Sequence, residues 1–338
     1  MAKLLILLTG GTLMMRPLPA AGVGSAALGL DESAPNLLGE LPMLARIADI
    51  ETRQLFSMDS GDMRPRDWLR LAREIHAAVD ARAYDGVVVV HGTDTMAYTA
   101  SALALLLGPL PIPVVLTGAQ RPLAEVRTDA RENLIDAALV ATMAVPEVSV
   151  VFASRALRGA RCTKRDAWGF DAFDAPNCPP LVTLGVGATV ASHVLEAGPL
   201  AAFDERMEER VLALRIFPGL DPELIRGALK TGVRGLVLEA YGTGNLPLLG
   251  TSLITALEEA RDSGVPVLVV SQCLRGFVEL GRYAGGAAAE AAGALSGGDM
   301  TAEAAIAKLM IGLGRYGSTE ALRDYLERSA RGERSTFQ

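Results

Sequence analysis

The chain has 338 residues, a formal net charge of −7, and 50% hydrophobic against 21% charged residues. That balance describes a globular protein with room for two domains and a large core, and it excludes a disordered chain. The acidic charge, with no cluster of lysine or arginine, excludes a nucleic-acid footprint.

The apolar run from Leu4 to Leu8 is too short for a signal peptide and ends in Thr9-Gly10-Gly11, so it reads as a first strand. No apolar stretch reaches membrane-span length, since Val87 to Leu107 is interrupted by His91 and Asp94. Cys162, Cys178 and Cys273 are odd in number and far apart, which points to a reducing, cytoplasmic setting. His76 and His193 have no partners at ligand spacing, so no metal is expected.

Strand-like runs follow at 53–57, 86–90, 113–117 and 148–153. Between them, Pro65 opens a helix with Trp68, Leu71, Ile75 and Val79 on one stripe. A second helix starts near Thr95, capped by Asp94 or Thr95, and a third spans about 128–143 with Asp129 near its start. Alternating strands and helices imply right-handed parallel βαβ units. The stretch 186–210 reads as a linker or irregular crossover, with a boundary near residue 205. A second set follows, with strands at 211–217, 234–239 and 266–270 and helices near 221–231, 250–263, 299–314 and 319–330. The Arg315 to Arg334 stretch alternates charge and reads as a solvated helix face. The expected fold is α/β: a larger N-terminal doubly wound, mostly parallel sheet domain (1–190), a linker (191–212) and a smaller C-terminal α/β domain (213–338). Met14 to Glu40, rich in proline and glycine, reads as a lid or binding loop that begins just after Thr12.

The chemistry gathers at the carboxyl ends of the first four strands. Thr12, Asp59-Ser60-Gly61-Asp62, Thr93-Asp94 and Thr117-Gly118-Ala119-Gln120 converge on one crevice if the sheet is parallel. Two hydroxyls, a carboxylate and backbone N–H groups suit nucleophilic catalysis. A threonine needs activation, and Lys164 is the plausible basic partner in a Thr93–Lys164–Asp94 grouping. Taken alone, Thr12 and Thr93 also suit plain turns, Asp94 a helix cap, and His91 a structural histidine.

Thr9-Gly10-Gly11-Thr12, Met58-Asp59-Ser60, His91-Gly92-Thr93-Asp94-Thr95-Met96-Ala97-Tyr98 and Thr117-Gly118-Ala119-Gln120 resemble the bacterial L-asparaginase family. So do Arg158-Gly159 through Lys164, Gly169-Phe170-Asp171-Ala172-Phe173 and Tyr241-Gly242-Thr243-Gly244-Asn245, and the resemblance points to the cytoplasmic type I branch. It implies hydrolysis of L-asparagine, or of L-glutamine, to the acid and ammonia through an acyl-enzyme and without a cofactor. Thr12 would be the nucleophile, and Thr93, Lys164 and Asp94 a second triad that moves protons. Asp59, Ser60 and Gly61 would hold the substrate's α-carboxylate and Asp94 its α-amino group, with Ala119 and Asn245 among the substrate-binding residues. A neighbouring subunit would complete the crevice, in a homodimer or homotetramer, with no nucleic-acid or membrane partner. The chain departs from the family at the lid, which usually carries a tyrosine bonded to the first threonine, whereas the first tyrosine here is Tyr84. Another group then activates Thr12, or the Thr93 triad takes a larger share, or turnover is slow. Gly61 also stands where relatives carry a serine or glutamine.

Overall fold

Aliphatic runs that bury both faces build parallel sheets covered by helices, and this chain builds two. The computed structural model describes residues 1–17, 28–30, 37–248, 253–316 and 319–336. They form two compact units, Met1–Phe203 and Asp204–Gln338.

The first unit holds an eight-stranded sheet. Its strands are β1 (Lys3–Gly10), β2 (Asp49–Met58), β3 (Gly86–Val90), β4 (Val114–Thr117), β5 (Val148–Phe152), β6 (Arg155–Arg158), β7 (Val182–Leu184) and β8 (Ala188–Val190). The spatial order is β8-β7-β6-β5-β4-β3-β1-β2. β2, β1, β3, β4 and β5 run parallel, and β6, β7 and β8 add antiparallel pairings. Helix α1 (Pro65–Asp80) starts on its proline and buries Trp68, Leu71, Ile75 and Val79 as its stripe requires. Helix α2 (Met96–Leu107) is buried on almost every side, and α3 (Ala130–Val140) packs on β4 and β5.

The chain leaves β1 for β2 on one side and returns to β3 on the other, so the strand order reverses between β1 and β3. Open α/β sheets bind ligands at such a switch point, beyond the strands' carboxyl ends. Within the expected lid, Met15–Pro17 pairs antiparallel with Leu28–Leu30. Residues 18–27 and 31–36 of that lid lie outside the described ones.

Three features depart from the sequence reading. The strand expected at 53–57 begins at Asp49, because its charged first half pairs with β1 from Lys3 onward. The β5–β6 hairpin went unseen because Ala153 and Ser154 take positive φ (49° and 57°) where Asn-Gly would have signalled the turn. The expected linker starts inside the first unit, since buried Arg158 donates to the His193 carbonyl and Glu147 accepts from the Leu195 amide.

The second unit holds parallel strands β9 (Val211–Arg215), β10 (Gly235–Ala240), β11 (Val267–Ser271) and β12 (Leu295–Ser296), in that order. Its helices are α4 (Glu223–Lys230), α5 (Leu253–Asp262), α6 (Ala284–Ala291), α7 (Ala302–Arg315) and α8 (Thr319–Glu327). Helix α6 is built of alanine, glycine and one glutamate, so no apolar stripe marks it in the sequence. The Arg315–Arg334 stretch is not simply a solvated face. Glu333 is fully buried, 2.5 Å from Lys308 Nζ, and also accepts from the Ala330 and Arg331 amides.

Removing one partner of a buried pair leaves the other charge uncompensated. Lys308→Met is therefore expected to cost about 3–5 kcal/mol of stability, read as a lowered midpoint in denaturant unfolding.

Candidate active site

The switch point is closed by close approach at two glycines. Gly11 has φ +82°, and a Cβ there would lie 2.4 Å from the Gly92 Cα. A Cβ on Gly92 would lie 2.5 Å from Ser60 Oγ. Glycine at both positions lets the turns after β1, β2 and β3 touch, which brings Thr12, Ser60 and Thr93 together. The turns enclose a cavity of about 320 Å³ lined by Gly11, Thr12, Met15, Asp59, Ser60, Gly92, Thr93, Asp94, Gln120, Lys164 and Ala167.

Lys164 enters from a two-residue ladder, Thr163–Lys164 against Phe173–Asp174. Buried Phe173 anchors it, its ring 5.0 Å from that of Phe152 on β5. From there Lys164 Nζ donates to Thr93 Oγ1 at 2.8 Å and to Asp94 Oδ1 at 2.7 Å. Thr93 Oγ1 in turn donates to Gln120 Oε1 at 3.2 Å. The lysine side chain is 19% exposed and that of Asp94 69%, so the carboxylate faces the cavity's open side. Among the described residues the backbone N–H groups of Thr93 and Asp94 meet no protein acceptor, which leaves them for an anionic ligand.

Ser60 is buried in a single 3-10 turn, Ser60–Asp62, whose start is fixed by Asp59 Oδ1 accepting from the Gly61 amide at 2.9 Å. Thr95 does not cap α2 through its hydroxyl but donates to the Ser60 carbonyl at 2.8 Å, latching the β2 turn to the β3 turn. His91 is fully buried one residue before Gly92. Its Nδ1 lies 2.7 Å from the Gly92 carbonyl, which only accepts, so Nδ1 carries the proton and Nε2 accepts from Thr99 Oγ1 at 2.9 Å. Burial pushes the imidazole down to about 4, which keeps it neutral.

Thr12, Thr93, Asp94, Lys164, Asp59 and Ser60 thus meet around one cavity. Ala119 is buried and Gly61 donates its amide to Asp59, and neither lines the cavity. Asn245 belongs to the second unit, where it bridges to Tyr241. Among the described residues no protein group bonds the Thr12 hydroxyl. Tyr84 sits at the opposite, amino end of β3 and donates to Glu51. The sequence places Gln120 at the crevice without a role and offers no functional part for Asp129. Asp129 was expected as a helix start, but its carboxylate accepts from the Gln120 and Arg121 amides and from Asn133 Nδ2. The available signal was an aspartate and an asparagine one helical turn apart, a pair that can hold a preceding loop.

Residues 3–195 match the family model for the asparaginase N-terminal domain, and residues 210–326 that for the glutaminase/asparaginase C-terminal domain. The chain is 41% identical over 285 residues to L-asparaginase 1 of Escherichia coli K12, covering 82% of each. It is 37% identical over 340 residues to the L-asparaginase of Thermococcus kodakarensis, covering 98% of each. The solved structure of that thermostable enzyme superimposes with a TM-score of 0.87 over 99% of this chain and 100% of the other. L-asparaginase I of Vibrio cholerae, 35% identical, superimposes with a TM-score of 0.88 over 99% of both.

The buried imidazole makes stability depend on pH. Its proton affinity is ordinary (6.5) in the unfolded chain and falls to about 4 on folding, so the unfolded state binds more protons between those values. Its contribution is constant above about pH 6.5 and is lost as pH falls toward 4, by about 3 kcal/mol in all. His91→Asn, which keeps a donor for the Gly92 carbonyl, is expected to flatten that part of the stability–pH curve in urea titrations.

Proposed function

The chain belongs to the asparaginase family, and from that premise we propose that it hydrolyses L-asparagine to L-aspartate and ammonia through a threonine acyl-enzyme. The observation that carries the reading is the meeting of Thr12, Thr93, Asp94 and Lys164 around one cavity, with the lysine bonded to both members of the β3 turn.

In this reading the Thr12 oxygen attacks the side-chain amide carbon and passes its proton to the departing nitrogen, which leaves as ammonia. Water then cleaves the resulting ester, restoring the hydroxyl and releasing the acid. Ser60, in the turn held by Asp59 and Gly61, receives the α-carboxylate together with the N–H groups of the β3 turn, and Asp94 receives the α-ammonium group. Thr93 and Lys164 carry protons for both half-reactions. The expected cytoplasmic location and the homodimeric or homotetrameric state belong to the same proposal.

Thr12→Ala and Thr93→Ala are each expected to abolish ammonia release from L-asparagine, and wild-type-like rates in either would overturn the roles. One added methylene in a pocket is worth about 1–3 kcal/mol. kcat/KM for L-glutamine is therefore expected to fall below that for L-asparagine by about tenfold to a hundredfold.

A further inference from the structure

We infer that Gln120 is a positioning residue: it sets the direction of the hydrogen bond between Lys164 and Thr93 and ties the β3 turn to the loop behind Lys164. The inference rests on the reading of the cavity as an amide-hydrolysing centre.

The amide's orientation follows from its partners. Gln120 Nε2 lies 3.1 Å from the Gly169 carbonyl and 3.4 Å from that of Asp166. Carbonyls only accept, so this end must be the NH₂ group, and Oε1 must face Thr93. An amide oxygen only accepts, so Thr93 donates its single hydroxyl proton to Gln120. The Thr93 oxygen can then only accept from Lys164. The result is a one-way chain from the Lys164 ammonium through Thr93 and Gln120 to two carbonyls of the loop that follows Lys164. A neutral amine receiving the Thr93 proton would require that hydroxyl to abandon Gln120.

Gln120 is itself held. Its backbone amide donates to both oxygens of Asp129, and Asp129 is gripped by Asn133, whose amide also donates to the Gly118 carbonyl. The charged groups around Gln120 are Lys164 and Asp94 beyond Thr93, Asp129 beneath its backbone, and Asp166, whose carboxylate accepts from the Trp168 and Gly169 amides. Arg121 pairs with Glu125 and Arg165 with Asp171.

The test compares wild type, Thr12→Ala, Gln120→Met and Gln120→Glu on L-asparagine across pH, with thermal unfolding as a check on folding. Both Gln120 variants are expected to lose about tenfold or more in kcat with KM within about threefold, since the bond serves orientation rather than binding. The two should move the pH profile of kcat in opposite directions. Glutamate places a carboxylate on the Thr93 hydroxyl and favours the ammonium form of the lysine, which moves the profile toward alkali. Methionine removes the acceptor and lets the Thr93 proton turn to the amine, which moves it toward acid. A side chain that only supported the loop would lower activity without opposed shifts, and that result overturns the inference. So do Gln120 variants with wild-type kcat and profile, alongside an active wild type and an inactive Thr12→Ala, which leave the proposed function standing. An inactive wild type overturns both.

Discussion

A single ammonium group joins parts of the centre that lie 70 residues apart in the chain: Lys164 Nζ reaches both Thr93 and Asp94. The bond contributes little to stability. Asp94 is largely exposed, and ion pairs of that kind are worth about 0–1 kcal/mol. What holds the lysine is packing behind it, where Phe173 pairs with Lys164 across the ladder and lies against Phe152. Stability comes from the aromatic pair, and the charge is left free for chemistry.

The same division recurs across the β1–β3 switch point. Gly11 and Gly92 approach so closely that neither tolerates a side chain, and the hydroxyls and carboxylates are carried by their neighbours Thr12, Thr93 and Asp94. Beneath them the polar groups are fully committed. His91 is locked between Gly92 and Thr99, Thr95 holds Ser60, and Asp129 holds the Gln120 turn. Fully satisfied buried networks fix one arrangement, because any alternative strands a donor or acceptor. The cavity lining is thus set by a layer whose polar side chains are bonded to the protein itself.

Much of the parallel core was legible because β1, β3 and β4 are aliphatic runs that end at glycine-containing turns, and that pattern also marks the carboxyl edge where Thr12 and Thr93 sit. What the sequence hid was set by tertiary context. β6 to β8 are short, and their first turn uses Ala153 and Ser154 at positive φ. Glu333 sits in a charge-alternating stretch that looks solvated, yet its partner Lys308 lies on α7. Thr95 and Asp129 have the composition of caps, and nothing local shows that their side chains are drawn to Ser60 and Gln120 instead.

The lid bears on how the two threonines share the work. Residues 13–40 contain no tyrosine, histidine or lysine, so neither a phenol nor an amine from that segment can activate Thr12. Among the described residues lining the cavity, Lys164 supplies the only amine. An ammonium has three protons. Two are committed, to Thr93 and Asp94, and the third meets no protein acceptor among the described residues. In the proposed mechanism that third N–H would go to the departing amide nitrogen and be replaced by the proton Thr12 gives up, while Gln120 keeps the Thr93 proton out of the exchange. Under that proposal a leaving group would be protonated without a lid phenol, from the side of the cavity where Thr93 stands.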